Sequence, residues 1–384
     1  MMKCQSLFAR IDALYDSYLA FWQDVCNIES PTDDKAGVDA VGAYFARWAE
    51  KLGFAVEVFE QPVSGDVVCI TLNPKAPKPP ICFSAHMDTV HPIGSFGTPA
   101  VTVDEAKIYG PGVTDCKGGA VAAALAMEAL LREGFSDRPI MLLLQSDEEN
   151  GSRKSNKATI SYICEKAKGS DAFFNLEGGS PGEACLFRKG IVTYRFKVYG
   201  KEAHSSRCAV EGANAIAEVA HKILALEKHK DAEGITFSCN VISGGTVPNT
   251  VAGYCEFLVN VRYASAQQLE WVRSYVNEVA QTAFIEGTHT KVEQVSFRLA
   301  MPYEERNEAL LEKINAIYAE NGLPTLKKSK RTGGSDAADV TSCGIPCIDS
   351  LGVEGGEIHS RGEFAWLKTL TEAAKRVASA AYCL

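Results

Sequence analysis

A histidine and an aspartate two residues apart end a short apolar run, Ile81-Cys82-Phe83-Ser84-Ala85-His86-Met87-Asp88, bounded by Pro79-Pro80 and Pro92. The run reads as a buried strand, and in extended chain residues two apart point to the same side. Asp88 can then accept the proton on one imidazole nitrogen of His86, leaving the other nitrogen's lone pair for a metal ion. More carboxylates stand where other strands end. Asp147-Glu148-Glu149 follows the apolar run 139–146, and Glu177-Gly178-Gly179 follows the run 171–176. Asp115 lies in the turn-rich passage 109–119, and His359 lies in Gly355-Gly356-Glu357-Ile358-His359-Ser360.

If His86, Asp115, Glu149, Glu177 and His359 converge, two divalent ions bring four positive charges and the three carboxylates cancel three. One charge remains for a bridging hydroxide. Nitrogen and oxygen ligands without thiolate suit two zinc ions, with cobalt or manganese possible. Such a pair activates one water and polarises a substrate carbonyl. Glu148 and Glu149 cannot both face the metals easily, so one binds and its neighbour is free to take a proton from the water.

The elements that must position these residues follow from the pattern along the chain. Apolar runs at 54–58, 67–72, 81–86, 139–146 and 171–176 read as strands. Helical patterns alternate with them, among them the alanine-rich segment 120–132 stopped by Gly134. This alternation predicts an α/β domain with a doubly wound, mainly parallel sheet, whose ligands gather at the carboxyl ends of the strands. After residue 187 the pattern changes. Val192, Tyr194, Phe196 and Val198 alternate with polar residues, as do Ile235, Phe237, Cys239 and Val241, and then Cys255, Phe257, Val259 and Val261. Two amphipathic helices, 213–227 and 266–285, lie between them. We read 188–298 as an inserted α+β domain, and 1–187 with 299–384 as the metal-binding catalytic domain.

The chain of 384 residues with a net charge of -9 suits two domains and no nucleic-acid or anionic-membrane partner. No apolar segment approaches the roughly 20 residues that span a bilayer. The first residues run into charged, helix-like sequence without a signal core, and the 13 cysteines form no CxxC pair. Both features point to reduced thiols in the cytoplasm. Cys116 is assigned to packing, and His91 is given no role.

The chain also resembles the di-zinc exopeptidases and deacylases that include carboxypeptidase G, aminoacylase, acetylornithine deacetylase and succinyl-diaminopimelate desuccinylase, most nearly the carboxypeptidase G type. The resemblance spans nearly the whole chain. It rests on His86-Met87-Asp88, Gly110-Pro111-Gly112 with Asp115 and Lys117-Gly118-Gly119, Asp147-Glu148-Glu149, Glu177, Gly200 with His204-Ser205, Gly334-Ser335-Asp336 and His359-Ser360. It implies that Asp115 bridges the two metals, that His86 and Glu177 complete one site, and that Glu149 and His359 complete the other. Glu148 then is the general base and acid, and Asp88 orients His86. The inserted domain resembles the family's lid, through which members dimerise, with His204 polarising the scissile carbonyl, often from the partner subunit. Asn249 and Arg262 resemble lid residues that hold the substrate's carboxylate, and the stretch Gly333 to Ser335, with Gly334 and Ser335 as the candidate binding residues, can supply backbone donors opposite Arg262. Glutamate at position 177 resembles the carboxypeptidase and deacylase branch.

The expected activity is therefore a zinc-dependent metallocarboxypeptidase, glutamate carboxypeptidase-like, acting on a small peptide or N-acyl amino acid. An N-acyl amino acid deacylase, a di- or tripeptidase, and a non-catalytic binding protein of the same fold are the alternatives.

Overall fold

The computed structural model describes residues 3–384 and divides into two compact units. The first comprises the chain to Phe187, Tyr303–Lys330 and Ser335–Leu384. Its six-stranded sheet contains β1 (Ala55–Phe59), β2 (Val67–Leu72), β3 (Ile81–His86), β4 (Ile140–Gln145), β5 (Ala172–Asn175) and a short edge strand, Cys347–Ile348. The spatial order is β1-β2-β4-β3-β5 and then Cys347–Ile348. From β4 onward all pairs are parallel, and only β2 runs against both its neighbours. The mainly parallel sheet expected from the alternation of elements is what forms. Its inner strands are buried on both faces, as unbroken apolar runs require.

Parallel pairing brings three chain exits side by side. His86 pairs with Gln145 of β4, and Ser84 pairs with Asn175 of β5. His86 and Asp88 therefore stand between the turn carrying Glu148 and Glu149 and the turn carrying Glu177. A fourth segment reaches the same place through helix α1 (Lys117–Arg132), which starts at Lys117 rather than at the expected Ala120. Close packing explains the earlier start. A Cβ on Gly118 would collide with the carbonyl oxygen of Val113, and one on Gly119 with that of Leu176, so only glycine lets the helix begin against the exit of β5. Lys117 is buried, and its Nζ donates to the carbonyl of Ile28 at 2.7 Å and that of Val25 at 3.4 Å, at the end of helix Tyr15–Asn27. Carbonyl groups left over at a helix C-terminus favour such a cation.

The second unit comprises Arg188–Pro302 and the separate stretch Arg331–Gly334. Its antiparallel sheet is formed by β6 (Gly190–Tyr199), β7 (Thr236–Gly244), β8 (Tyr254–Tyr263) and β9 (His289–Arg298), in the order β7-β8-β6-β9. Helices α2 (Ala215–Leu226) and α3 (Ala266–Gln281) pack Val219, Leu226, Leu269, Val272 and Val276 against Val192, Phe196, Phe257 and Val261 of the sheet. In β7 the expected alternation breaks. A bulge between Cys239 and Val241 sets Val241 opposite Leu258, on the wet face, where it is 55% exposed.

Candidate metal centre

His86 closes β3, and its ring Nδ1 lies 2.9 Å from the backbone carbonyl of Asp88 and 3.5 Å from Asp88 Oδ1. The bond expected with the carboxylate is made chiefly with the main chain. The consequence is the same: Nδ1–H donates to the main chain, and Nε2 is the nitrogen turned to the cluster. The Asp88 side chain is used elsewhere. Its Oδ1 accepts from the backbone N–H of Glu148 at 3.1 Å, and its Oδ2 accepts from the N–H of Glu149 at 3.1 Å and from the Thr32 hydroxyl at 2.8 Å. Burial opposes the charge on Asp88, yet His86, Thr32 and these N–H donors hold its carboxyl below the usual carboxylate value. One buried carboxylate thus ties the exit of β3 to the turn after β4.

Asp115 stands between two histidines. Its Oδ1 lies 3.1 Å from His86 Nε2, and its Oδ2 lies 3.1 Å from His359 Nε2. On the first side Glu177 Oε1 is 3.8 Å from His86 Nε2, and on the second Glu149 Oε2 is 3.3 Å from His359 Nε2. All five residues expected to bind metal are therefore drawn together, in two sets that share Asp115. His359 reaches the cluster with φ of 63°, in the left-handed region that non-glycine residues seldom adopt.

The donor set fits two cations. Atoms bound about 2 Å from one tetrahedral zinc-sized ion lie roughly 3.3 Å from each other. Three of the separations just given, 3.1 to 3.3 Å, are of that size, and the fourth, to Glu177, is 3.8 Å. Glu149 Oε1 is also buried without a hydrogen-bond partner, an orphaned acceptor of the kind a bound ion would satisfy. Burial lowers the basicity of His86, but Cys116, Asp115, Asp88 and Glu177 raise it well above the ordinary imidazole value. Asp115 and Glu149 push His359 up to about 10, and burial pushes the Glu149 carboxyl up.

Cys116 also lies within ligand spacing of His86 and Glu177. Its Sγ donates to the carbonyl of Leu176 at 3.0 Å, and burial holds the thiol well above its usual pKa, which fits packing. Two buried neighbours of the centre carried no sequence signal. His91 Nε2 lies 2.8 Å from Glu363 Oε2, and both residues are buried.

In the second unit, His204 is exposed, and its Nδ1 accepts from the backbone N–H of Ser206 at 3.3 Å and lies 2.9 Å from the Ser206 hydroxyl. His204 bridges Thr250, and the Asn249 carbonyl accepts from the N–H of Ser205 at 2.9 Å, so His204 and Asn249 are neighbours. Arg262 on β8 donates from Nε to Asn260 Oδ1 at 3.0 Å and from Nη1 to the Thr332 carbonyl at 2.9 Å. Arg298 packs on the same loop, where a Cβ at Gly334 would collide with its side chain. In the first unit, the Ser335 hydroxyl accepts from Asn175 Nδ2 at 2.9 Å and from the N–H of Ala337 at 3.2 Å.

Comparison with known proteins agrees with this geometry. The model of Peptidase family M20/M25/M40 matches residues 82–382. Carboxypeptidase G2 of Pseudomonas sp. (strain RS-16) is 30% identical over 345 residues, covering 88% of this chain and 82% of that one. Aminopeptidase PepT from Bacillus cereus shares the fold with a TM-score of 0.80 at 20% identity, over 95% of this chain and 97% of that one. The Bacillus subtilis YXEP protein, described as a dinuclear metal-binding peptidase, does so with a TM-score of 0.70 at 16% identity, over 97% and 98%. Since the family match spans most of the sequence and includes every strand exit at which the two ligand sets meet, the chain belongs to Peptidase family M20/M25/M40 and is a metallohydrolase of that family.

Proposed function

We propose that the protein is a zinc-dependent carboxypeptidase that hydrolyses the amide bond next to a free carboxylate and releases a C-terminal acidic residue, glutamate first among them. The observation that carries this reading is the pair Arg262 and Arg298 set against one loop, together with the 30% identity to carboxypeptidase G2. Arg262 donates to two neutral oxygens, Asn260 Oδ1 and the Thr332 carbonyl, and burial and the nearby Arg298 both disfavour its charge. Such a guanidinium gains from a ligand carboxylate, which it can grip with two parallel bonds.

In this reading His86, Asp115, Glu149, Glu177 and His359 hold two ions, zinc by preference and cobalt or manganese as substitutes. When bound, the ions acidify the attacking water and polarise the scissile carbonyl. Glu148 accepts the proton of that water and delivers it to the leaving nitrogen. Asp88 keeps Glu148 and Glu149 in register with His86. His204 Nδ1 accepts from Ser206, so the neutral ring carries its proton on Nε2, ready to donate to the oxyanion. Asn249, Arg262 and the backbone of Gly334 and Ser335 hold the substrate carboxylate. Amino-acid release from a panel of N-acylated amino acids, C-terminal glutamate amides and free-amino di- and tripeptides tests the reading. Cleavage of blocked substrates with a free carboxylate supports it, and preference for free-amino peptides overturns it.

Arg262→Lys is expected to raise KM on the order of 10- to 100-fold, the loss of a charged hydrogen bond of about 1.5–3 kcal/mol, with a smaller change in kcat. An unchanged KM removes Arg262 from the site. We also propose that the second unit is a lid through which two copies pair, with His204 acting across the interface. β7 is an edge strand whose Val241 and Ile242 are 55% and 56% exposed, and α2, which packs on this sheet, leaves Leu224 65% exposed. An apolar open edge of this kind favours strand-to-strand pairing. Light scattering should give the mass of two chains, and Ile242→Lys should give one. A cytoplasmic setting is proposed with this activity. Among the described residues no helix is long and apolar enough to cross a membrane, and no disulfide joins any of the thirteen cysteines.

A further inference from the structure

We infer that Glu363, with His91 behind it, is a positioning residue that aims Asp115 and joins three of the segments bearing metal ligands. This rests on the two-metal reading of the centre. Glu363 is 1% exposed, and every direction around its carboxylate is taken. Oε1 accepts from the backbone N–H of Thr114 at 2.9 Å and that of Asp115 at 3.0 Å. Oε2 accepts from the N–H of Gly112 at 3.3 Å and from His91 Nε2–H at 2.8 Å. Three N–H groups from one short loop thus converge on a single carboxylate. Gly112 allows the convergence because it sits at φ of 75°.

The consequence is directional. Fixing the amides of residues 112, 114 and 115 fixes the peptide plane from which the Asp115 side chain leaves, and hence which oxygen meets His86 and which meets His359. The same carboxylate reaches two further segments. His91 follows Asp88 by three residues in the loop beyond β3, and Glu363 follows His359 by four. His86, Asp115 and His359 are therefore held in common by one group, and Asp88 does the same for Glu148 and Glu149 through their amides. Substitution of such outer partners of metal ligands commonly lowers metal affinity or activity by 10- to 100-fold.

The chemistry dictates the variants. Glutamine at 363 must turn its NH2 toward Gly112 and His91, because Thr114 and Asp115 offer only donors to the other oxygen. It keeps two bonds, loses that of Gly112, and forces His91 into its other tautomer. Phenylalanine at 91 keeps a ring beside Phe96 but removes the donor. Glutamine at 91 restores a donor.

The test uses the full chain, stripped with a chelator and titrated with cobalt(II), read by calorimetry and by the visible absorption of the bound ion. Wild type is expected to bind two ions. Glu363→Gln and His91→Phe are expected to bind cobalt about 10- to 100-fold more weakly, with altered absorption, and His91→Gln to recover most of the affinity. Turnover of both impaired variants should rise toward wild type at saturating cobalt with KM unchanged. Folded variants with wild-type affinity and spectrum overturn the inference, as does a lower melting temperature with unchanged cobalt binding, the mark of a purely structural role. Should Glu363→Gln fail to fold, His91→Phe, which leaves the three amide bonds intact, decides alone. A wild type that binds fewer than two ions overturns the metal-centre reading, and this inference with it.

Discussion

Glu148→Gln is expected to bind two metal ions and to have lost a factor of about 10² to 10⁴ in kcat, the range that a positioned general base contributes. The substitution is isosteric, and one tie that places residue 148 is a backbone bond, N–H to Asp88 Oδ1. It therefore survives the change. Glu149, its neighbour in the second ligand set, keeps its own amide bond to Asp88 Oδ2. Only the ability to take a proton disappears. KM should move little, because the role proposed for Glu148 is on the water and not on the ground-state substrate. Metal content by elemental analysis and kcat on a blocked glutamyl substrate measure the two halves independently. Near-normal kcat with two ions bound would transfer the base to another residue, and loss of an ion would make Glu148 a ligand.

Much of this centre was legible in the chain because its residues stand at strand ends. A period of two placed Asp88 beside His86, and unbroken apolar runs located the exits that deliver Glu148, Glu149 and Glu177. What escaped the sequence depends on partners far away along it. The carboxylate of Asp88 was expected on His86, yet it bonds Thr32 and the amides of Glu148 and Glu149, 56 to 61 residues distant. Glu363 lies in a turn-rich loop with no periodicity, and its partners are 248 to 272 residues away. The helix start at Lys117 ran against the low helix propensity of Gly118 and Gly119. Packing against Val113 and Leu176 decided it. In β7 a bulge moved Val241 to the opposite face, a one-residue event that no alternation pattern registers.

Asp115→Asn is expected to have the larger effect. Asparagine offers one oxygen to two ligand sets, and its NH2 cannot bind a cation. Whichever way it turns, either the His86 side or the His359 side, each now 3.1 Å from a carboxylate oxygen, meets a donor instead. The charge count also worsens, since two ions would face two carboxylates instead of three. Metal content should fall from two ions per chain to one or none after dialysis. Turnover should fall by more than the about 10⁴-fold limit of base removal, because the acidification of the attacking water that bound ions would supply is lost with them. The fold should persist. The amide of residue 115 still donates to Glu363 Oε1, and the glycine contacts that seat α1 are untouched. A cooperative melt with intact circular dichroism would separate loss of metal from loss of structure. Two ions and measurable turnover in the folded Asp115→Asn protein would mean that Asp115 does not bridge, and the two ligand sets would have to be redrawn around Glu149 and Glu177.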